Sequence, residues 1–115
     1  VIVFVGDSIK LRDQILEQAK GLKVGGGEEA DTDIGPVIST AAKERIERLI
    51  ASGVSQGAEL LMDGRGVTVP GYEKGNFVGA TMLGNVTTEM DCYQARDWSS
   101  SIFSLYTVFQ IPYVE

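Results

Sequence analysis

The first five positions, Val1-Ile2-Val3-Phe4-Val5, are all apolar. Valine and isoleucine fit a pleated surface, and an unbroken apolar run reads as a strand covered on both faces. The period then changes. Leu11, Ile15, Ala19 and Leu22 recur at i, i+4, i+8 and i+11, one face of a helix. Asp7 or Ser8 is placed to cap that helix. Gly21, and after it Gly25-Gly26-Gly27, are placed to end it. A polar loop over 25–39 carries Glu28, Glu29, Asp31 and Asp33, then Gly35-Pro36. Ser39 or Thr40 opens a second helix with the apolar stripe Ile46, Leu49, Ile50 and Val54. Glu44 lies in its first turns, where a negative charge meets the positive end of the helix dipole. Gly53 weakens this helix and Gly57 stops it.

The second half reads as short strands. Residues 58–62 form one, ending at the turn Asp63-Gly64-Arg65-Gly66. Residues 67–69 form a short extended piece, and Pro70-Gly71 signals a turn. Residues 77–83 read as a strand interrupted by Gly79, and 86–93 show no clear period. Residues 102–111 are rich in β-branched and aromatic side chains and read as a strand. The expected order is β-α-loop-α-β-β-β, an α/β arrangement.

Composition divides the chain at about residue 94. None of the 14 glycines falls in 95–115. That stretch holds five of the nine aromatics (Trp98, Phe103, Tyr106, Phe109 and Tyr113) and only three charges, Arg96, Asp97 and Glu115. The expected organisation is therefore a segment 1–94 joined to a hydrophobic, aromatic tail 95–115 unrelated to it. At 115 residues the whole is at most one domain. Because it opens inside a strand and without Met, it reads as a fragment.

Charge and missing residue types narrow the chemistry. The net charge is −6, with Lys and Arg spread among acidic residues. Nucleic-acid binding needs clustered cations to displace counterions, so no nucleic-acid partner is expected. The opening apolar run is too short to span a bilayer and lacks a signal peptide's basic flank. No membrane partner is expected. A single cysteine excludes an internal disulfide and fits a reducing, intracellular setting. There is no histidine, so the commonest general base and the commonest transition-metal ligand are both missing.

Five features invite a functional reading, and each has a plainer one. Cys92 has no neighbouring base or cluster of cations to lower its pKa, so it reads as structural. Gly25-Gly26-Gly27 follows a helix and leads into Glu28-Glu29, whereas a phosphate cradle follows a strand and opens a helix. It reads as a helix-ending loop. Glu28, Glu29, Asp31 and Asp33 lack the spacing of a calcium loop and its late bidentate glutamate, so they read as a solvated acidic loop. Lys43, Glu44, Arg45, Glu47 and Arg48 read as an exposed helix face, with Glu44 and Arg48 spaced to pair. Tyr72 and Phe77 read as packing residues. No catalytic, cofactor-binding or metal-ligating residue is expected.

Four runs nevertheless carry a resemblance. They are Val3-Phe4-Val5-Gly6, then Asp33-Ile34-Gly35-Pro36-Val37-Ile38-Ser39, then Gln56-Gly57-Ala58-Glu59-Leu60-Leu61, then Asn76-Phe77-Val78-Gly79-Ala80-Thr81. In that order and at about that spacing they resemble the aldehyde dehydrogenase superfamily over roughly 1–94. Ala42-Lys43-Glu44-Arg45-Ile46, Leu61-Met62-Asp63-Gly64-Arg65, the run from Pro70 to Gly79 and Met90-Asp91-Cys92-Tyr93 most resemble its methylmalonate-semialdehyde dehydrogenases. The resemblance implies a partial catalytic domain of an NAD-dependent, coenzyme A-acylating oxidoreductase. The implied substrate is a small methylmalonate or malonate semialdehyde, met in valine, pyrimidine and inositol breakdown. The implied parent is homo-oligomeric, and mitochondrial in eukaryotes.

The resemblance also implies what this chain lacks. The family's nucleophilic cysteine, oxyanion-hole asparagine, base glutamate and NAD domain all lie upstream of the strand matched by positions 1–6. Two departures stand inside the match. Ala80 replaces a proline, removing a backbone restraint. After Cys92-Tyr93 the family reads KEEIFGPV, but here Gln94-Ala95-Arg96-Asp97-Trp98 follow. Arg96 takes the place of a glutamate that binds the nicotinamide ribose in relatives, and a guanidinium cannot accept that hydrogen bond. The chain by itself is thus expected to bind neither NAD nor coenzyme A and to be inactive. The rival expectation is a non-catalytic protein that binds full-length dehydrogenase subunits, and a weaker one is an acidic calcium-binding module. The tail 102–109 is an aggregation hazard if unpaired; paired, it takes a sheet position.

Overall fold

A computed structural model describes residues 2–95 and 105–111 of the chain. Strand β1 (Ile2–Val5) runs into a 3₁₀ segment, Gly6–Leu11, and then helix α1 (Arg12–Lys20). A long loop leads to helix α2 (Thr40–Ser55) and strand β2 (Glu59–Met62). A second loop leads to strand β3 (Thr81–Gly84), a short helix α3 (Asp91–Gln94) and strand β4 (Leu105–Ile111). The four strands form one sheet in the order β1-β4-β3-β2. β4 is parallel to both neighbours, pairing Ile2 with Val108 and Thr81 with Leu105, while β2 and β3 are antiparallel. The expected α/β order holds, with α3 added in the stretch that showed no period.

The helix ends follow their local chemistry. Gly6 takes φ +56, so the chain turns helical directly after β1. Asp7 and Ser8 therefore sit inside the first turn, with Val5 at the capping position. This departs from the expected cap at Asp7 or Ser8. The Ser8 hydroxyl still ties the turn, accepting from Val5 N at 2.8 Å and donating to Val5 O at 2.9 Å. Ser39 caps α2, its Oγ accepting from Ala42 N at 3.1 Å. At the other end Gly57, φ +108, donates to Val54 O, and Ala58 N donates to Gly53 O at 2.9 Å. That paired bonding is a Schellman closure, which needs a left-handed residue at Gly57's position.

Two apolar layers sandwich the sheet. Met82 and Leu83 are neighbours in β3, so their side chains point to opposite faces. Met82 joins Phe4 and Ala19 under α1, with Ile15, Leu16, Leu61 and Met62 packed against them. Leu83 joins Ala58, Val86, Met90 and Cys92 under α2. Met82 and Leu83 are 1% and 0% exposed, which makes β3 the element buried on both faces. β1 is not: Phe4 is buried, but Val3 and Val5 are 49% and 53% exposed. The expectation of a first strand covered on both faces is corrected here, because α1 covers only one side of it.

The strand expected over 77–83 is shorter than its apolar pattern. Residues 77–80 are buried, yet Gly79 N donates to Gly64 O at 2.8 Å and not to a ladder partner. Residues 67–69 form no strand either; Val69 is buried and Val67 packs on Gly79. Of the expected strand over 102–111, residues 105–107 pair with β3 and residues 108–111 pair with β1. Positions 102–104 lie outside the described residues, as do Arg96, Asp97 and Trp98.

Candidate functional site

Cys92 is the chain's one thiol and the natural first candidate. It sits in the second residue of α3, 5% exposed. Its Sγ lies 3.1 Å from the point a Cβ on Gly53 would occupy, so the sulfur fills space the glycine leaves open. Burial pushes the thiol's pKa up, and the adjacent Asp91 carboxylate pushes the same way. A nucleophilic cysteine needs the opposite, a thiolate stabilised by nearby positive charge. Asp91 itself is held by Ser52 Oγ at 2.9 Å and Gln56 Nε2 at 3.0 Å, and its N–H donates to Gln56 Oε1. Those bonds dock α3 on the end of α2. Cys92 thus packs in the cluster of Ala58, Leu83, Val86 and Met90.

The glycine run is explained by sterics. A Cβ on Gly25 would lie 2.5 Å from Thr32 Oγ1, and one on Gly26 would lie 3.0 Å from the Tyr72 ring. Both glycines are buried under other parts of the chain. Gly25 N is already given to Ile34 O at 3.0 Å.

The acidic loop is organised around one cation, Lys23. Its Nζ donates to both oxygens of Asp31 at 2.8 Å and to Glu29 Oε2 at 3.1 Å. Its backbone N–H donates to Asp33 Oδ2 at 2.9 Å, and a Val24–Ile34 bridge closes the loop behind it. Glu28 accepts from the Tyr72 hydroxyl. Each of the four carboxylates therefore already has a donor within the chain. Hydrogen bonds from Lys23 hold Asp31 below the usual carboxylate range, and the same bonds raise Lys23. Among the described residues, no three acidic or sulfur side chains converge to hold a metal ion. Sequence reasoning missed Lys23. The available signal was a lysine followed at six, eight and ten positions by carboxylates.

The remaining candidates are surface and core fittings. Tyr72 meets Phe77 edge to face, with ring centroids 6.3 Å apart and planes at 64°. Asp63 and Arg65 form a forked pair across their turn, the closest contact 2.6 Å, which lowers the Asp63 pKa. Glu44, Glu47, Arg48 and Ala51 line a shallow depression of about 400 Å³ on α2. Two carboxylates at its rim would repel the phosphates that both NAD and coenzyme A carry. Among the described residues, no helix is long and apolar enough to cross a membrane.

Comparison with known proteins then gives the geometry a context. The aldehyde dehydrogenase family matches residues 2–96. The chain is 60% identical over 93 residues to the mitochondrial acylating methylmalonate-semialdehyde dehydrogenase of Arabidopsis thaliana, covering 81% of this chain and 15% of that protein. It is 47% identical over 105 residues to the mitochondrial acylating methylmalonate-semialdehyde/malonate-semialdehyde dehydrogenase of Rattus norvegicus, covering 91% of this chain and 20% of that one. Among solved structures it superposes at a TM-score of 0.86 and 34% identity on a protein from Sinorhizobium meliloti 1021. That protein is assigned as a methylmalonate-semialdehyde dehydrogenase and is complexed with NAD; the match covers 96% of this chain and 22% of that one. The chain thus spans between 15% and 22% of the length of these relatives.

Proposed function

The chain belongs to the aldehyde dehydrogenase family, and from that premise we propose that it is a catalytic-domain segment of a coenzyme A-acylating methylmalonate- or malonate-semialdehyde dehydrogenase. The observation that carries this reading is the 60% identity over 93 residues with the Arabidopsis enzyme. Its parent would oxidise a small semialdehyde with NAD, transfer the acyl group to coenzyme A, assemble as a homo-oligomer, and act in mitochondria where the source is eukaryotic.

By itself the segment is inactive in this reading. Family chemistry proceeds through a thiolate that attacks the aldehyde carbon. The one thiol here is buried against Gly53, with its pKa raised by that burial. The glutamate that serves as base in the family lies, by the resemblance, upstream of the strand matched by positions 1–6. Glu44, Glu47, Arg48 and Ala51 meet in one depression, whose two carboxylates are ill suited to a phosphate-bearing cofactor. The segment's part in the parent is to supply sheet and helices, with β3 as the doubly buried strand.

The test is an assay of the purified chain with NAD, coenzyme A and malonate semialdehyde. The expected result is no NADH above a blank without protein. Steady NADH formation that survives Cys92→Ala would refute the inactivity. Formation abolished by that substitution would refute the structural reading of Cys92 as well.

A further inference from the structure

Asp63 is the only aspartate or asparagine in the chain that is followed by glycine. That pair has a chemistry of its own. The backbone nitrogen after an aspartate can attack the side-chain carboxyl carbon. A C–N bond forms, a carboxyl oxygen leaves as water with the amide proton, and the product is a succinimide ring. Water then reopens the ring at either carbonyl. One opening restores aspartate; the other leaves isoaspartate, in which the main chain runs through the side-chain methylene. A water leaves and a water returns, so nothing is oxidised or reduced. A side chain on the following residue obstructs the approach, and glycine has none.

The fold blocks this route at both reacting atoms. Gly64 N, the nucleophile, donates to the buried Thr81 Oγ1 at 3.0 Å. The Asp63 carboxylate, the electrophile, is forked by Arg65, with Nε 2.9 Å from Oδ1 and Nη2 2.6 Å from Oδ2. It also accepts from Arg65 N at 3.0 Å. Ring closure proceeds through the protonated acid, whose oxygen leaves as water, and the bonds from Arg65 keep this carboxyl ionised. The product has no room either. A Cβ on Gly64 would strike the Gly79 carbonyl, so added main-chain length at position 63 cannot be taken up there. Yet the Asp63 side chain is 35% exposed, so water reaches it whenever a ring forms.

We propose that Asp63–Gly64 is a spontaneous isoaspartate site gated by this corner: it rearranges only when Gly64 leaves Thr81 and Gly79. The change is one-way for the fold. The lengthened main chain cannot reseat Gly64, so a chain that has opened and rearranged stays marked. The mark is a free α-carboxylate beside the rerouted backbone, the group that an isoaspartyl carboxyl methyltransferase esterifies with a sulfonium methyl donor.

The test ages the full chain at neutral pH when folded, in a series of guanidinium concentrations below the unfolding transition, and unfolded. Peptide mapping by mass spectrometry with electron-transfer fragmentation distinguishes isoaspartate from aspartate at position 63. Methylation by a purified isoaspartyl methyltransferase counts it independently. Thr81→Val, Thr81→Ser and Asp63→Glu chains are aged alongside; the glutamate chain is the blank, since its longer side chain closes the ring poorly. Isoaspartate at 63 is expected to accumulate in the unfolded wild type and far more slowly in the folded one. Folded Thr81→Val should form it about tenfold faster than folded wild type, the rise in open population that loss of one buried hydrogen bond gives. Thr81→Ser should stay near wild type. No isoaspartate at 63 in the unfolded chain would remove the site. Equal rates in folded and unfolded wild type would remove the gate, as would a folded Thr81→Val chain whose rate is unchanged. If Thr81→Val does not fold, the guanidinium series on the wild type decides. The rate must rise in step with amide exchange at Gly64, and a rate that stays flat while that exchange climbs overturns the proposal.

Discussion

Gly64 and Gly79 meet backbone to backbone. Gly79 N donates to Gly64 O at 2.8 Å, and a Cβ built on Gly64 would lie 2.0 Å from the Gly79 carbonyl oxygen. The approach brings the 63–66 turn down onto the chain entering β3, which explains why residues 77–80 are buried without joining the sheet.

Gly64→Ala is therefore expected to be costly, because the obstacle is main chain and cannot rotate away. Overpacking of this kind costs about 1–3 kcal/mol and sometimes more. Gly27→Ala is the control: nothing lies within 4 Å of its Cβ position. That substitution is expected to be neutral or to stabilise by about 0.4–1 kcal/mol through the unfolded chain. Urea midpoints of the two variants check the contrast, and equal midpoints would remove the close approach as a determinant.

Thr81 closes the same corner. Its Oγ1 is buried and accepts from Gly64 N at 3.0 Å. Thr81→Val keeps the shape but leaves that N–H without an acceptor, at an expected cost of about 1–3 kcal/mol. Thr81→Ser keeps the acceptor and loses a methyl group, about 0.8 kcal/mol. Amide exchange at Gly64 separates the two effects: it should accelerate in the valine variant and stay near wild type in the serine variant.

Much of this fold was readable from pattern, and the misses share a cause. The α2 stripe as far as Ile50, its Ser39 cap and its Gly57 stop depend on neighbours in sequence, and they were legible, although Val54, expected in the stripe, is 39% exposed. The 77–83 segment was not, because an apolar run says that residues are buried but not what their N–H groups bond to. Gly79's partner is Gly64, fifteen positions away, and no local rule points to it. The exposure of Val3 and Val5 is likewise a matter of which helices cover which face. The role of Lys23 was hidden because its ammonium joins Glu29 and Asp31 across a loop, six and eight positions away, at a spacing no helix or strand rule marks.

The Lys23–Asp31 pair predicts a pH dependence with two limits. Asp31 is held below the ordinary aspartate pKa by its hydrogen bonds from Lys23. Its contribution is complete above the ordinary aspartate range, about pH 4, and is lost as pH falls through the lowered folded value. Lys23 is raised by the same bonds. Its contribution is complete below the ordinary lysine range, about pH 10, and is lost as pH rises through the raised folded value. Between these limits the pair is insensitive to pH, and both groups are exposed enough for salt to weaken it. Titration of the Asp31 carboxyl by NMR checks the sign: Lys23→Met should move its midpoint upward. An unmoved midpoint would show that Lys23 is not the cause.

Gly53 and Cys92 provide the last prediction, because each occupies room the other leaves. A methyl on Gly53 would stand 3.1 Å from Cys92 Sγ and 3.0 Å from Leu83 Cδ1, tighter than ordinary contact. Gly53→Ala alone should cost about 1–3 kcal/mol, the overpacking term exceeding the gain in helix propensity. Cys92→Ala alone should cost about 1 kcal/mol for the lost sulfur contacts. In the double variant the new methyl enters the space the sulfur vacated, so the two costs should not add. Residues in direct contact couple by about 0.5–3 kcal/mol, whereas independent sites add to within about 0.5 kcal/mol. Urea denaturation of the four chains measures the coupling. Additive costs would mean that Leu83, not Cys92, limits the room beside Gly53. The wild-type thiol gives a second check on the same packing. Its reaction with an aromatic disulfide should be slow in the folded chain and should accelerate with denaturant in step with global unfolding. Fast labelling under native conditions would place the sulfur at the surface and remove the premise of the cycle.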